Sequence, residues 1–278
     1  MVADPIAIVK AARSMRRDII EMTGIAGSGH PGGSLSAADI VATLYFGVMN
    51  HDPARPDWPE RDRFVLSKGH AAPVLYAALA ETGYFSRDEL PRLRQLGAML
   101  QGHPDARKTP GVEVPTGSLG QGLALANGLA LALRLDGKGA PTVFCLLGDG
   151  EIQEGEVWEA AMFAAHHRLG NVVAIVDANG MQIDGPTAEV MDVGDIAAKF
   201  AAFGWTVEEC DGHSVVQLLE ALERAKGVGS GPVAIIARTI KGKGVSFMEG
   251  VCDWHGKAPD PEQCAIALAE LTADGKGR

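Results

Sequence analysis

The chain has 278 residues, enough for a substantial core in one large domain or two small ones. Hydrophobic residues make up 46% and charged residues 22%, a composition that excludes wholesale disorder. Lys and Arg total 25 against 35 Asp and Glu, a formal charge of −10, so the basic surface that nonspecific nucleic-acid binding needs is missing. No apolar run approaches the length of a membrane span, and Arg13, Arg16, Arg17 and Asp18 interrupt what would otherwise be a signal-like stretch. Cys145, Cys210, Cys252 and Cys264 show neither CxxC nor zinc-like spacing, and Cys145 reads as a small core residue. The expectation is a cytoplasmic, reduced protein with no nucleic-acid or membrane partner.

In chain order, residues 5–23 read as an amphipathic helix ending near Gly24, and a glycine-rich turn then leads to a helix over 34–49. Pro53, Pro56 and Pro59 mark a loop, 64–66 a short strand, 71–82 a helix and 87–97 a short helix. The segment 99–117 lacks periodicity and reads as a loop across the sheet edge. A tightly packed helix follows from Leu119. Strand 142–147, helix 154–168, strand 172–177, helix 194–203, strand 205–209, helix 214–226 and strand 233–238 complete the pattern. The tail after about 258 is Ala-rich, then polar, and its last residues are expected to fray. This alternation calls for an α/β fold, a mostly parallel sheet with helices on both faces.

Two of the apolar runs end in oxygen ligands. Thr142–Leu147 leads into Gly148-Asp149-Gly150, and Val172–Val176 leads into Asp177-Ala178-Asn179-Gly180. Each pair is also ordinary turn chemistry. At the C-terminal edge of a parallel sheet, however, a carboxylate and an amide carbonyl suit a hard ion such as Mg2+ completed by phosphate oxygens. The two therefore suggest a diphosphate held through a metal.

The context of the pair is more specific. Gly150-Glu151-Ile152-Gln153-Glu154-Gly155-Glu156 follows Asp149, and Gly180-Met181-Gln182-Ile183-Asp184-Gly185 follows Asn179. The whole string resembles the thiamine-diphosphate motif of transketolases. The resemblance implies metal ligation by Asp149, Asn179 and the backbone carbonyl of Met181, with Mg2+ or another divalent cation such as Ca2+ or Mn2+. It extends over nearly the whole chain. Gly27-Ser28-Gly29-His30-Pro31-Gly32-Gly33, Asp62 to His70, Gly102-His103-Pro104-Asp105, Thr116 to Gly122, Lys241-Gly242-Lys243-Gly244 and Trp254-His255-Gly256 each match a family segment in order. The one departure is Asp105, where Glu is common.

The resemblance assigns roles to individual residues. His30 and His255 are implicated in proton transfer at sugar hydroxyls, a task that imidazole suits near neutral pH. His70 and His103 are expected to contact the diphosphate or the two-carbon fragment. Gly117, Leu119 and Gly150 are expected beside the cofactor, and Lys241 is expected to reach its diphosphate. Glu154 and Glu159, at a helix start, complement the helix dipole and in transketolases belong to a carboxylate network joining two active sites. His51, His166, His167 and His213 read as surface or hydrogen-bonding residues.

Transketolases combine three domains, and residues 1–278 correspond to the first, the diphosphate-binding domain. No segment matches the family's pyrimidine-binding domain, with its activating glutamate, or its C-terminal domain. Either the chain is truncated or it is one subunit of a split transketolase. Its ordinary beginning and end favour the second, with a C-terminal subunit as partner in an α2β2 heterotetramer acting on sugars or sugar phosphates. The alternatives are another thiamine-diphosphate enzyme subunit, resembling deoxyxylulose-phosphate synthase or a 2-oxo acid dehydrogenase alpha chain, and a non-catalytic cofactor-binding subunit. A dinucleotide-binding Rossmann domain lacks support, because no GxGxxG follows an early strand and no P-loop lysine motif occurs.

Overall fold

A computed structural model of the chain describes residues 3–137 and 141–273. Its sheet has strands β1 (Arg63–Leu66), β2 (Val143–Gly148), β3 (Val172–Ala178), β4 (Thr206–Asp211) and β5 (Val233–Arg238). All pairs are parallel, in the order β1-β2-β3-β5-β4. The side chains alternate between two cores, as the pleat requires. Phe144, Leu146, Val173, Ile175 and Ile235 face one, and Cys145, Leu147, Ala174, Val176 and Ile236 face the other. β2, β3 and β5 are buried on both faces, which explains why they read as continuous apolar runs, whereas the edge strand β4 is largely exposed.

The first core is covered by α1 (Pro5–Ala26), α2 (Pro31–Ser36), α3 (Ala38–Thr43), α4 (Ala72–Thr82) and, further along the chain, the helix Val215–Gly227. The second is covered by α5 (Gln121–Leu135), α6 (Gly155–His166) and the helix Ile196–Ala202. With the short turn α7 (Thr187–Val190) between them, these later helices are α8 (Ile196–Ala202) and α9 (Val215–Gly227), and α10 (Pro261–Ala273) follows. The connections β2-α6-β3 and β3-α8-β4 step one way across the sheet. The β4-α9-β5 connection steps back, so right-handed crossovers put α9 on the opposite face.

The structure departs from the sequence reading at several helix boundaries. α1 runs through Gly24 to Ala26, because a Cβ at Gly24 would lie 2.2 Å from the Cys264 sulfur. That glycine makes room for α10 rather than ending the helix; the cap is Gly27, at φ 57°. The helix expected over 34–49 begins at Pro31 and divides into α2, α3 and a π-helical turn, Leu44–Val48. The helix expected over 87–97 is only a 3-10 turn, Arg87–Arg92, interrupted by Pro91 and followed by Arg94 at φ 62°. α10, an Ala-rich tail by sequence, buries Ala267 and Leu271 in the first core. The fraying expected of the last residues falls on 274–278, outside the described residues. Residues 99–117 are irregular, as expected. Among the described residues no helix is long and apolar enough to cross a membrane.

Candidate active site

β2 and β3 lie side by side, with Gly148 in register with Asp177, so the residues after each strand meet at the C-terminal sheet edge. Asp149 is buried there and accepts the amide protons of Gly150 at 2.9 Å and Gly180 at 2.5 Å. Burial first, and then the Asp177 charge, push its pKa up to about 6. A cation beside it would offset both causes. Asn179 accepts the Met181 amide at 3.1 Å and donates to Asp177 at 3.4 Å. Among the described residues no three His, Cys, Asp or Glu side chains converge on one metal position. A set of one carboxylate, one amide and one carbonyl would leave half of an octahedral shell to water and phosphate, an arrangement that suits Mg2+.

Behind this edge is a buried pair that the sequence reading does not single out. Lys68, 2% exposed, donates to Asp177, 0% exposed, and to the carbonyl of Gly33 at 2.7 Å. Ser36 and Thr239 also donate to Asp177. Burial works against the Asp177 anion, but Lys68 and these hydroxyls keep its pKa below the usual carboxylate range. Glu151 is a further residue without a role by sequence. It accepts the Ser67 hydroxyl at 2.5 Å and the amides of Gly120 and Gly148 at 3.0 Å each, tying the ends of β1 and β2 to the start of α5. Burial raises its pKa against those hydrogen bonds. The available signal is a charged residue at or just past the end of an apolar strand, which describes Lys68, Asp177 and Glu151 alike.

A pocket of about 250 Å³ opens over Asp149, Asn179 and Met181. Its lining includes Lys68, His70, Leu119, Asp149, Glu154 and Asn179, and Gly150, Met181, Lys241 and His255 complete the set of expected residues found there. Beside it the histidines gather from four separate loops. The His30 ring centroid is 5.2 Å from His70, 5.6 Å from His255 and 6.5 Å from His103, and His70 stacks on His255 at 4.9 Å. Gly117, at φ 148°, lies against the His103 ring, where a Cβ would sit 2.7 Å from it. Lys241 donates to Nδ1 of His255 at 2.8 Å.

These rings are neutral at physiological pH. Burial, then Arg94 and His103, lower His30 to about 4. Burial and Lys241 lower His255 to about 3. Burial and Lys68 take His70 well below its usual value, and burial with Arg94 lowers His103. Burial and neighbouring Lys68 bring Lys241 down to about 8. Nδ1 of His30 is buried with no hydrogen-bond partner among the described residues.

The Lys241 loop is itself anchored. The Ile240 amide donates to Nε2 of His213 at 2.9 Å, which leaves Nδ1 to donate to Asp39 at 2.8 Å. Arg16 grips Asp39 with two hydrogen bonds and donates to the Lys243 carbonyl at 3.2 Å. Burial disfavours the Asp39 anion, yet Arg16 and His213 hold its pKa at about 2. His213 is thus a hydrogen-bonding residue, as its sequence context implies, and so is His51 between Tyr45 and Tyr84. His166 and His167 are exposed.

Glu159 is the one expected residue that the structure does not bring to this site. It lines a separate depression between α5 and α6, because five helical positions turn it well away from Glu154.

The family model of the transketolase thiamine diphosphate binding domain matches residues 6–274. The chain belongs to the transketolase family. It is 47% identical to a 6-deoxy-6-sulfo-D-fructose transketolase subunit of Clostridium sp., over 95% of this chain and 96% of that one. It is 41% identical to an apulose-4-phosphate transketolase subunit of Actinobacillus succinogenes, over 94% and 95%. Against human transketolase the identity is 45%, over 95% of this chain but 42% of the human one. The crystal structure of transketolase from Campylobacter jejuni superposes with a TM-score of 0.89 at 35% identity, again covering 95% of this chain and 42% of that one. The chain therefore spans less than half of the full-length transketolases it matches and nearly all of the proteins named as subunits.

Proposed function

We propose that this chain is the diphosphate-binding subunit of a split transketolase, moving a two-carbon ketol unit from a ketose to an aldose. The observation that carries the reading is the convergence of His30, His70, His103 and His255 beside the Asp149–Asn179 edge. A dinucleotide fold or a bare binding module has no use for four neutral imidazoles at one point.

Asp149, Asn179 and the Met181 carbonyl would hold Mg2+, or Ca2+ or Mn2+ in its place, against the diphosphate. Lys241, Leu119, Gly150 and Glu154 line the same pocket, and Gly117 backs it through His103. When bound, thiamine diphosphate supplies the nucleophilic carbon that allows a ketose to be cleaved beside its carbonyl. The chain's own residues then manage protons. Because Lys241 donates to Nδ1 of His255, the neutral ring carries its proton on Nε2 and offers a hydrogen bond to a sugar oxygen. His30, a neutral ring set among His70, His103 and His255, is the ring that takes up the hydroxyl proton. His70 and His103 flank the two and hold the sugar in place.

Residues 1–278 would form the one diphosphate-binding domain of the assembly. The pyrimidine-binding and C-terminal domains would come from a C-terminal subunit in a cytoplasmic α2β2 heterotetramer. Glu159, on the α5–α6 surface, would then serve the carboxylate network between active sites. The two subunit relatives are named for sugars bearing a sulfonate or a phosphate, and sugars or sugar phosphates are the proposed substrates here.

The test is reconstitution. The purified chain with thiamine diphosphate and Mg2+ should transfer no ketol group, and adding the C-terminal subunit should restore transfer. Full activity from the chain alone would overturn the split arrangement. Consumption of pyruvate by the pair would redirect the reading to a different thiamine-diphosphate reaction.

A further inference from the structure

Arg94 is outside every motif and role described so far, yet its geometry is specific. It follows the Arg87–Arg92 turn in a left-handed conformation, φ 62°, which non-glycine residues rarely adopt. Its amide donates to the Leu100 carbonyl at 2.8 Å, which holds the unusual backbone in place. The guanidinium lies over Gly102, where a Cβ would come within 3.0 Å of Cζ. Glycine at that position is therefore the seat of the arginine. One Nη1 hydrogen bond, 3.0 Å long, reaches Ser28. Arg94 thus bridges the turn that precedes His30 and the turn that precedes His103.

No carboxylate lies within ion-pair distance of Arg94 among the described residues, although salt bridges are common elsewhere on this acidic chain. Its charge is felt at the site instead, as one of the causes that lower both His30 and His103. A strained backbone that delivers an arginine without a carboxylate partner to the turns preceding His30 and His103 suggests function rather than stability. The planar fork of donors matches a tetrahedral oxyanion, and only one donor is committed to Ser28.

We propose that Arg94 binds the anionic terminal group, phosphate or sulfonate, of the sugar that enters the histidine cluster. The inference rests on the functional reading above and deepens it. This chain then selects anionic sugars through its own side chain, in addition to whatever the partner subunit contributes. Ser28 and Gly102 fix the guanidinium so that anion binding and histidine placement share one support.

The test is direct binding to the purified chain, followed through its histidine ring resonances. Ribose 5-phosphate, unphosphorylated ribose and inorganic phosphate are titrated separately into wild type, Arg94→Met and Arg94→Lys. Ribose 5-phosphate should shift the His103 signal, with an affinity that falls about tenfold in Arg94→Met and less in Arg94→Lys, as expected for loss of one charge-assisted contact. Ribose should bind all three proteins equally. Inorganic phosphate that binds wild type but not Arg94→Met marks a general oxyanion site and supports the assignment. Equal affinity of wild type and Arg94→Met for ribose 5-phosphate overturns it, as does no binding to wild type. An equal loss of ribose and ribose 5-phosphate also overturns it, by reducing Arg94 to a brace for the loops. If the binding pattern holds but the reconstituted pair transfers no ketol group, the functional reading falls and the anion site stands.

Discussion

The two halves of the site are built on opposite plans. At the ends of β2 and β3, nearly every polar group is answered from within the chain: Lys68 by Asp177 and Gly33, Asp149 by two amides, Glu151 by three donors. A few ångströms away, His30, His70 and His103 pack ring against ring, and Nδ1 of His30 has no partner. The first half is a closed electrostatic unit that the fold needs. The second is a set of neutral imidazoles in loops and short turns, one of them with a buried ring nitrogen that no described group answers. On the proposed function, stability belongs to the strand ends and proton chemistry to the loops, so substitutions should separate the two.

The largest effect should come from Lys68→Met. It strands the buried Asp177 carboxylate, and urea unfolding should show a loss of about 3–5 kcal/mol, partly recovered by adding Asp177→Asn. A stability equal to wild type would mean that the strand ends are not the closed unit described. His30→Ala should do the reverse. Its unfolding midpoint should stay close to wild type, while ketol transfer by the reconstituted enzyme drops about 10²–10⁴-fold, the span of a lost acid–base group. A large loss of stability in that variant would erase the contrast.

Asp149→Ala sharpens the comparison within the first half. Thermal melts of the wild-type chain should rise with thiamine diphosphate plus Mg2+, by about 2.7 kcal/mol at a hundredfold excess over Kd, and the rise should vanish with a chelator or in the variant. Without ligand the variant should be less stable than wild type, because the amides of Gly150 and Gly180 lose their acceptor.

The smallest effect provides a control remote from both halves. Burial raises Asp18 in α1 to about 6, against the pull of Arg87. The folded state then binds more protons than the unfolded one between about pH 4 and 6, so this contribution is present at low pH and lost as pH rises. Asp18→Asn should therefore gain stability relative to wild type from pH 4 to pH 7, with no change in activity. A gain in the opposite direction would contradict the burial of Asp18.

The strands and the polar residues at their C-terminal ends were legible in the sequence because β2, β3 and β5 are buried on both faces. Unbroken apolar runs such as Val172–Val176 can then end only at an edge, and Asp149 and Asn179 stand at those ends. The helix boundaries were less legible where a distant element decides them. Nothing local distinguishes Gly24 as a notch for Cys264 from a helix stop, and nothing local reveals that Arg94 takes a left-handed turn. The histidines could be matched to family segments, but their mutual distances depend on four loops meeting. Lys68, Asp177 and Glu151 escaped because their partners are remote: Asp177 lies 109 positions from Lys68, and Gly120 lies 31 from Glu151.

The strand order has a consequence for the timing of assembly. β5 is inserted between β3 and β4, although it follows both in the chain. On the ribosome β4 emerges with no neighbour to pair with, and it must wait until residues 233–238 arrive and thread in beside β3. The Lys241 loop and His255 come directly after that strand. The sheet and the site are thus completed by the same late stretch of polypeptide, so a nascent chain has almost no window in which the sheet is whole and the histidine cluster is not.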